Sequence, residues 1–505
     1  MIVNKVQNIK RNIIFGIINK IIMMLCPFAI RTIIIWKLGV EYVGLSSLFT
    51  SILQILSLAE LGFGTAIVYS MYKPLAENDT KLISALLNLY RKVYRIIGLV
   101  ILSIGIMLMP FLKFLIWGNY PSDINIYILF IIYLINTVLS YFLFAYKQSL
   151  LLANQRNDVE SNITSISYLI MYILQIVAII FTKNYYCYII FLPFCTIAIN
   201  LIRNEYIKKK YPKYICSGEL PIDVKKDMKK RIFGLMLSRI CQVCRNSFDS
   251  IVISMALGLT ILGKYQNYYY IINTIAGFLT IITTSIVAGI GNNIVTKTKE
   301  ENYEEFKLFQ FGYNWIASWC TVCLLCLYQP FMEIWVGKNN LMPFWLVMLM
   351  CIYFYVLRVG DVVAVYKEAT GIYWEDRYRP VLESIVNLVL NFALVYTLGV
   401  YGVVLSTIIS ILFINIPWAA IVLHKTYFRI SSIKYFSNVG INILILIFIS
   451  IVTYKICLLF NGNNLYINLI IRGVICIFIP NVILVLVNYK NHNLRKSLKF
   501  IKRMF

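Results

Sequence analysis

Apolar residues run along this chain in blocks long enough to cross a bilayer, separated by short polar interruptions. A membrane-crossing helix needs roughly 20 apolar residues. The pattern predicts an all-α polytopic membrane protein of about fourteen spans. They fall at 13–36, 43–70, 93–117, 124–147, 161–182, 185–202, 232–258, 265–289, 309–336, 341–366, 380–398, 401–423, 436–459 and 466–489. Lys5, Lys10 and Arg11 precede the first block, which continues to Trp36 with no small-residue cleavage site. It reads as a retained first span, not a removable signal.

Composition narrows the function classes. The 505 residues are 60% apolar and 14% charged, with a mean hydropathy of +0.76. A soluble domain is nearer half apolar and a quarter charged. Fourteen spans leave only short connections, which excludes a sizeable soluble catalytic module, a secreted disulfide scaffold and a disordered tail. The net charge of +25, from 47 basic against 22 acidic residues, does not read as a nucleic-acid footprint. The basic residues lie between apolar blocks, as in loops held on the cytoplasmic side. Lys73, Lys81, Arg91, Lys92 and Arg95 follow span 2, and Lys147 and Arg156 follow span 4. The longest connection, 203–231, holds Arg203, Lys208, Lys209, Lys210 and six further basic residues between Lys213 and Arg231. Connections on the other side are short and nearly uncharged. The alternation predicts a cytoplasmic-membrane protein with an even span number and both termini cytoplasmic.

Two halves of the chain echo each other. Leu38-Gly39 and Gly44 in LGVEYVG recur as Leu257-Gly258 and Gly263 in LGLTILG, an offset of 219. At that offset Lys20 meets Arg239, and Tyr146-Lys147 recurs as Tyr366-Lys367 at 220. A constant offset favours two six-span repeats of the same orientation, an architecture of transporters whose substrate site lies between the repeats. The expected divisions are an N-terminal lobe (1–205), a basic cytoplasmic linker (206–231), a C-terminal lobe (232–425), and two extra spans with a basic tail (426–505).

The run LGVEYVGLSSLFTSILQILSLAELGFGTAIVYSMYKPLAEND resembles the first two spans of the Wzx-like polysaccharide flippases. These belong to the multidrug/oligosaccharidyl-lipid/polysaccharide exporter superfamily. GKYQNYYYIINTI at the start of span 8 and TLGVYGVVLSTIIS leading into span 12 resemble the second lobe of the same family. The resemblance covers roughly 1–425 and rests on diffuse motifs. It implies a V-shaped, two-lobed bundle that moves lipid-linked oligosaccharide by alternating access. The implied partners are a cargo on a polyprenyl pyrophosphate carrier, the membrane lipids, and proteins of polysaccharide assembly.

Charges inside spans supply the candidate site. A charge at the centre of a span costs about 2.5–3.5 kcal/mol on insertion scales, so each needs a partner or a role. Lys20 and Arg31 share one face of span 1, and span 7 carries Arg239, Arg245 and Asp249. With Arg358 in span 10, these cations form a candidate cavity for a pyrophosphate, which arginine can grip through two parallel hydrogen bonds. Lys20, Arg239 and Arg31 also lie close enough to the span ends to snorkel. Arg245 and Asp249 at i, i+4, and Arg358 and Asp361 at i, i+3, are placed to neutralise one another. Glu60 in span 2 has no basic residue within a turn of its own helix. With Asp249 and Asp361 it is a candidate for coupling to H+ or Na+, the alternative being a salt bridge to a neighbouring helix. No other cofactor is indicated.

Two further features read as structural. Cys320, Cys323 and Cys326 form a stripe with no histidine nearby, so they read as small residues on a membrane helix and not as a metal site. Tyr265, Tyr268, Tyr269 and Tyr270 stand where an interfacial aromatic belt is expected, with sugar stacking as the alternative. The expected function is a flippase for undecaprenyl-pyrophosphate-linked repeat units of capsule or surface polysaccharide. The alternatives are a lipid II flippase, then a drug/cation antiporter, then a membrane-embedded polymerase or glycosyltransferase. Enzymes of the last class need acid–base or metal-binding groups on an outer loop, and no such cluster stands out here.

Overall fold

The structure is a computed structural model and describes residues 2–60, 63–372, 374–460, 462, 464–492, 494 and 496. The side chains of 2–10, 13, 59, 65, 222–239 and 288 fall outside the description. Every regular element described is helical. Among the described residues, eleven helices are long and apolar enough to cross a membrane, or twelve if one bent pair counts as a span. Two of the fourteen expected spans are outside that number. Span 2 is interrupted, and span 7 lies in a helix whose first half has undescribed side chains. Large apolar side chains such as Phe181, Met107, Phe114, Ile470 and Phe478 are exposed along the helices, as expected where the surrounding medium is lipid. The chain is an integral multi-pass membrane protein.

Two compact units divide the chain, Met1–Gly263 and Lys264–Phe505. In the first, the helices are α1 (Ile2–Lys37), α2 (Val40–Leu56), α3 (Phe63–Ala76), α4 (Thr80–Leu108), α5 (Ile126–Phe142), α6 (Gln148–Ala153), α7 (Asn157–Thr182), α8 (Tyr185–Ile189), α9 (Phe191–Lys210) and α10 (Ile222–Leu257). The apolar block read as one span at 43–70 is two helices, α2 and α3, separated by a 3-10 turn over Ser57–Glu60. Tightening the coil there places Glu60 at a helix break. Span 4 is likewise bent, by 47° between Ile126–Phe142 and Phe144–Ala153. Asx side chains start several of these helices: Asp79 accepts from Leu82 N, and Asn125 from Tyr127 N and Ile128 N, which satisfies amide donors that no helix turn can reach.

The glycines of the repeated motif have a shared geometric task. Gly39 (φ +128°) and Gly258 (φ +87°) turn the chain between α1 and α2, and out of α10. A Cβ on Gly44 would sit 2.2 Å from the Leu259 carbonyl oxygen, and one on Gly263 would sit 2.2 Å from that of Val40. The two backbones therefore meet with no room for a side chain at either position. Thr260 Oγ1 donates to Glu41 Oε1 at 3.0 Å beside this contact.

The basic connection is shorter than its charge run suggests. Helix α9 continues to Lys210 and α10 begins at Ile222. Basic residues at a helix C-terminus favour its dipole and reach the membrane surface, so they extend the helix and do not end it. The intervening segment folds back on α4: Asn88 Nδ2 donates to the Gly218 carbonyl at 2.8 Å, and Arg91 Nη2 to that of Cys216 at 3.2 Å.

From the end of the first unit into the second run α11 (Leu259–Thr296), α12 (Lys299–Val336), α13 (Phe344–Val359), α14 (Asp361–Thr370), α15 (Arg379–Leu398), α16 (Val400–Ser410), α17 (Ile416–Leu423), α18 (Ile433–Leu459) and α19 (Leu465–Val487). Thr298 opens α12 with a capping box closed by Glu301. A π-helical turn over Ile411–Asn415 joins α16 to α17. The last two helices pack on α12, where Trp315 Nε1 donates to Asn481 Oδ1 and Trp319 Nε1 to the Cys476 carbonyl, both at 2.8 Å. The tyrosines expected to form an interfacial belt are partly internal. Tyr268 is fully buried and donates to Gln329 Oε1 at 2.5 Å, and Tyr265 is 3% exposed.

Candidate functional site

Within the first unit a cavity of about 300 Å³ opens among α4, α5, α7, α9 and the Glu60 turn. Its polar lining includes Glu60, Tyr94, Tyr141, Glu160, Asn200 and Arg203. Each group is positioned by a local feature of the sequence. The 3-10 turn presents Glu60 to two phenols: Tyr94 donates to Oε1, and Tyr141 to Oε2 at 2.5 Å. Tyr90, one turn before Tyr94, donates to the Tyr94 hydroxyl at 2.8 Å and stacks on its ring with centroids 4.3 Å apart. Gly64 gives Tyr90 that place, because a Cβ there would lie 2.9 Å from its hydroxyl oxygen.

On the opposite wall Arg203 grips Glu160 with both arms of its fork, Nε to Oε2 at 2.9 Å and Nη2 to Oε1 at 2.5 Å. Its third arm donates to Asn200 Oδ1 at 2.7 Å. Both partners are buried, Arg203 at 5% exposure and Glu160 at 7%. The positive run at 203–210 suggests a loop, but Arg203 sits inside α9 and points inward. Nearby, Lys147 Nζ donates to Asn204 Oδ1 at 2.6 Å. Arg203 thus pairs with Glu160 on one wall, while Glu60 faces its two phenols on the other. Among the described residues the partners of Glu60 are these two phenol donors.

The other expected site residues are distributed over both units. Lys20 is exposed on α1, and Arg31 is half-buried on the same helix near the phenols of Tyr185 and Tyr188. Arg245 is half-buried and Asp249 is 4% exposed, both on α10. The backbone of Arg239 belongs to α10, but its side chain lies outside the described residues. In the second unit Arg358 Nη1 meets Asp361 Oδ2 at 2.9 Å, and Tyr313 donates to the same oxygen. The two side chains thus form an ion pair at the i, i+3 spacing.

The structure adds a second buried polar network. Lys367 is paired with Asp376, which also accepts from Arg379 Nε at 2.9 Å. Arg379 reaches Glu383 at 3.3 Å, and Asn415 Nδ2 donates to Glu383 at 2.6 Å. The line continues along α15 through Asn387 and Asn391, with Asn387 Nδ2 donating to Thr407 Oγ1 at 2.9 Å. The i, i+4, i+8 spacing of Glu383, Asn387 and Asn391 marks this stripe in the sequence. A search for charges inside spans passes over it, because two of its three members are neutral asparagines.

No model of a known protein family matches the chain, and no curated protein matches it. Solved structures do. A lipid II flippase MurJ in an inward closed conformation superposes with a TM-score of 0.67 at 16% identity, covering 95% of this chain and 99% of that one. An inward-facing multidrug-resistance MATE transporter of the MOP superfamily gives 0.60 at 15% identity, covering 78% and 92%. A point mutant of the Vibrio cholerae MATE transporter VcmN gives 0.56 at 12% identity, covering 84% and 99%. These similar structures are a flippase and two transporters, and the chain shares their fold.

Proposed function

We propose that this protein is a flippase that carries a polyprenyl-pyrophosphate-linked oligosaccharide across the cytoplasmic membrane by alternating access. The observation that supports this most is the length of the likeness to a lipid II flippase, 95% of this chain, against 78% and 84% for the two MATE-transporter structures. In this reading the chain has fourteen spans in two six-span lobes plus a C-terminal pair, with both termini cytoplasmic. Arg31 and Arg245, assisted by Lys20 and Arg239 of the same unit, bind the pyrophosphate, a dianionic group suited to guanidinium forks. Glu60 couples transport to an H+ or Na+ gradient, with Asp249 and Asp361 as further candidates. Its phenol donors hold the ion-free carboxylate in this arrangement, and a second arrangement of the cycle would hold it with the ion bound. Such a difference in affinity between states is what an ion needs to bias the cycle.

The cargo proposed first is a repeat unit of capsule or surface polysaccharide, and the same structural likeness favours lipid II as the second reading. A complementation test separates the two. The protein, expressed in one strain lacking its surface-polysaccharide flippase and in another depleted of its lipid II flippase, should restore polymer at the surface of the first. Rescue of the second strain alone would transfer the assignment to peptidoglycan precursor. Rescue of neither, with the protein present in the membrane, would contradict flipping of a polyprenyl-linked sugar.

A further inference from the structure

Three cysteines meet inside the second unit. Cys326 on α12, Cys457 on α18 and Cys476 on α19 have sulfur atoms all within 4.8 Å of one another. The three residues are 0%, 0% and 1% exposed, and all three are free thiols. The stripe of Cys320, Cys323 and Cys326 gives no reason to expect this, since two members of the cluster come from the last two helices. Cys323 stands apart from the three, with its thiol directed to the Cys476 carbonyl at 3.9 Å.

We propose that Cys326, Cys457 and Cys476 form a three-thiolate site for a divalent d10 metal ion, zinc being the physiological one. Sulfur–metal bonds of about 2.3 Å set three sulfurs about 4.0 Å apart around a central ion. A cluster already within 4.8 Å closes on such an ion through side-chain movement alone. Charge is the second observation. Arg472 lies one turn before Cys476 on α19, is 8% exposed, and directs Nη1 to the Cys326 carbonyl at 3.4 Å. Three thiolates around a divalent ion carry a net charge of −1, which the guanidinium cancels. A neutral assembly suits a buried site at membrane depth, where uncompensated charge is costly. A monovalent ion would leave one negative charge over. Thr453, one turn before Cys457 on α18, is fully buried with an unpartnered hydroxyl, which is available to a fourth ligand such as water.

Binding is an acid–base exchange with no redox change. Three thiols release three protons, three metal–sulfur bonds form, and the ion stays divalent. The site fastens the α18–α19 hairpin to α12, adding to the two tryptophan hydrogen bonds already described.

The test uses the full-length protein, purified in detergent under reducing conditions. Zinc content by mass spectrometry should be equimolar with protein, and adding cadmium to the chelator-treated protein should produce thiolate-to-metal ultraviolet absorption. Cys476→Ala and Cys326→Ser should each weaken binding by more than about 100-fold, exceeding the 10–100-fold typical of losing an outer partner. Cys320→Ala, a nearby cysteine outside the cluster, should bind as the parent does. If a variant yields no folded protein, cadmium titration of the parent decides alone, with saturation at one ion and release of three protons expected. Absence of the absorption band in folded parent protein would overturn the site. So would unchanged binding in Cys476→Ala, or an intact-mass loss of two hydrogens showing that two of the thiols are oxidised to a disulfide.

Discussion

In the proposed cycle Glu60 is the side chain that carries ion coupling. Hydrogen bonds to a charged acceptor are worth about 1.5–3 kcal/mol each, so the donors Tyr94 and Tyr141 hold Glu60 more firmly while it is ionised. Glu60→Gln keeps the shape and fixes neutrality. It should spare membrane insertion and remove the response of transport to collapse of the ion gradient, read by complementation with expression checked. Full activity with an unchanged gradient response would leave Glu60 a structural residue. Arg203 is a contrasting case. Breaking a buried ion pair from one side costs about 3–5 kcal/mol, because the other charge is stranded. Arg203→Ala should therefore lower the thermal midpoint in detergent sharply. Glu160→Gln combined with Arg203→Met should recover most of the loss, since replacing both partners avoids the orphan charge. Equal destabilisation by the single and double variants would contradict a stability role for the pair.

Among the elements, the α2–α11 contact depends on the absence of two side chains. At Gly44 and Gly263 the obstructing atom is a backbone carbonyl oxygen 2.2 Å from the Cβ position, which cannot rotate away. Overpacking of this kind typically costs about 1–3 kcal/mol. Gly44→Val should lower thermal stability by about that amount or more. Gly16→Ala, on α1 with open space around its Cβ position, should be neutral. A neutral Gly44→Val would show that the two helices are not held this closely. The helices themselves are largely legible in the sequence, because lipid-facing apolar runs leave few alternatives to a helix. The breaks are not. Span 2 reads as one apolar block because the residues on both sides of Glu60 are equally apolar, and a 3-10 turn changes hydrogen bonding without changing composition. The reach of α9 is obscured for the opposite reason, since its final turns are basic. Pairing across helices is the least legible. Glu160 lies at the border of span 5 and Arg203 at the border of span 6, and only packing α7 against α9 joins them. The three clustered cysteines depend on the same kind of long-range contact.

For the molecule as a whole, the proposed function is movement of an anionic amphiphile by a multi-pass helical fold shared with solved transporters. In that proposal the cationic positions in membrane helices are the groups that would hold an anionic cargo. Arg31→Ala should weaken cargo binding several-fold without altering expression, measured as a rise in the half-saturating cargo concentration. An unchanged half-saturation would remove Arg31 from the cargo path. The central claim is tested most directly with purified protein in liposomes containing a fluorescently labelled polyprenyl-pyrophosphate oligosaccharide. Loss of fluorescence to an impermeant quencher reports how much label reaches the outer leaflet. The proposed function predicts that the protein brings inner-leaflet label to the quencher faster than protein-free liposomes do, and that Arg31→Ala with Arg245→Ala slows this. Exchange at the protein-free rate, together with gradient-driven efflux of a cationic dye by the same preparation, would contradict a flippase and identify a drug antiporter instead.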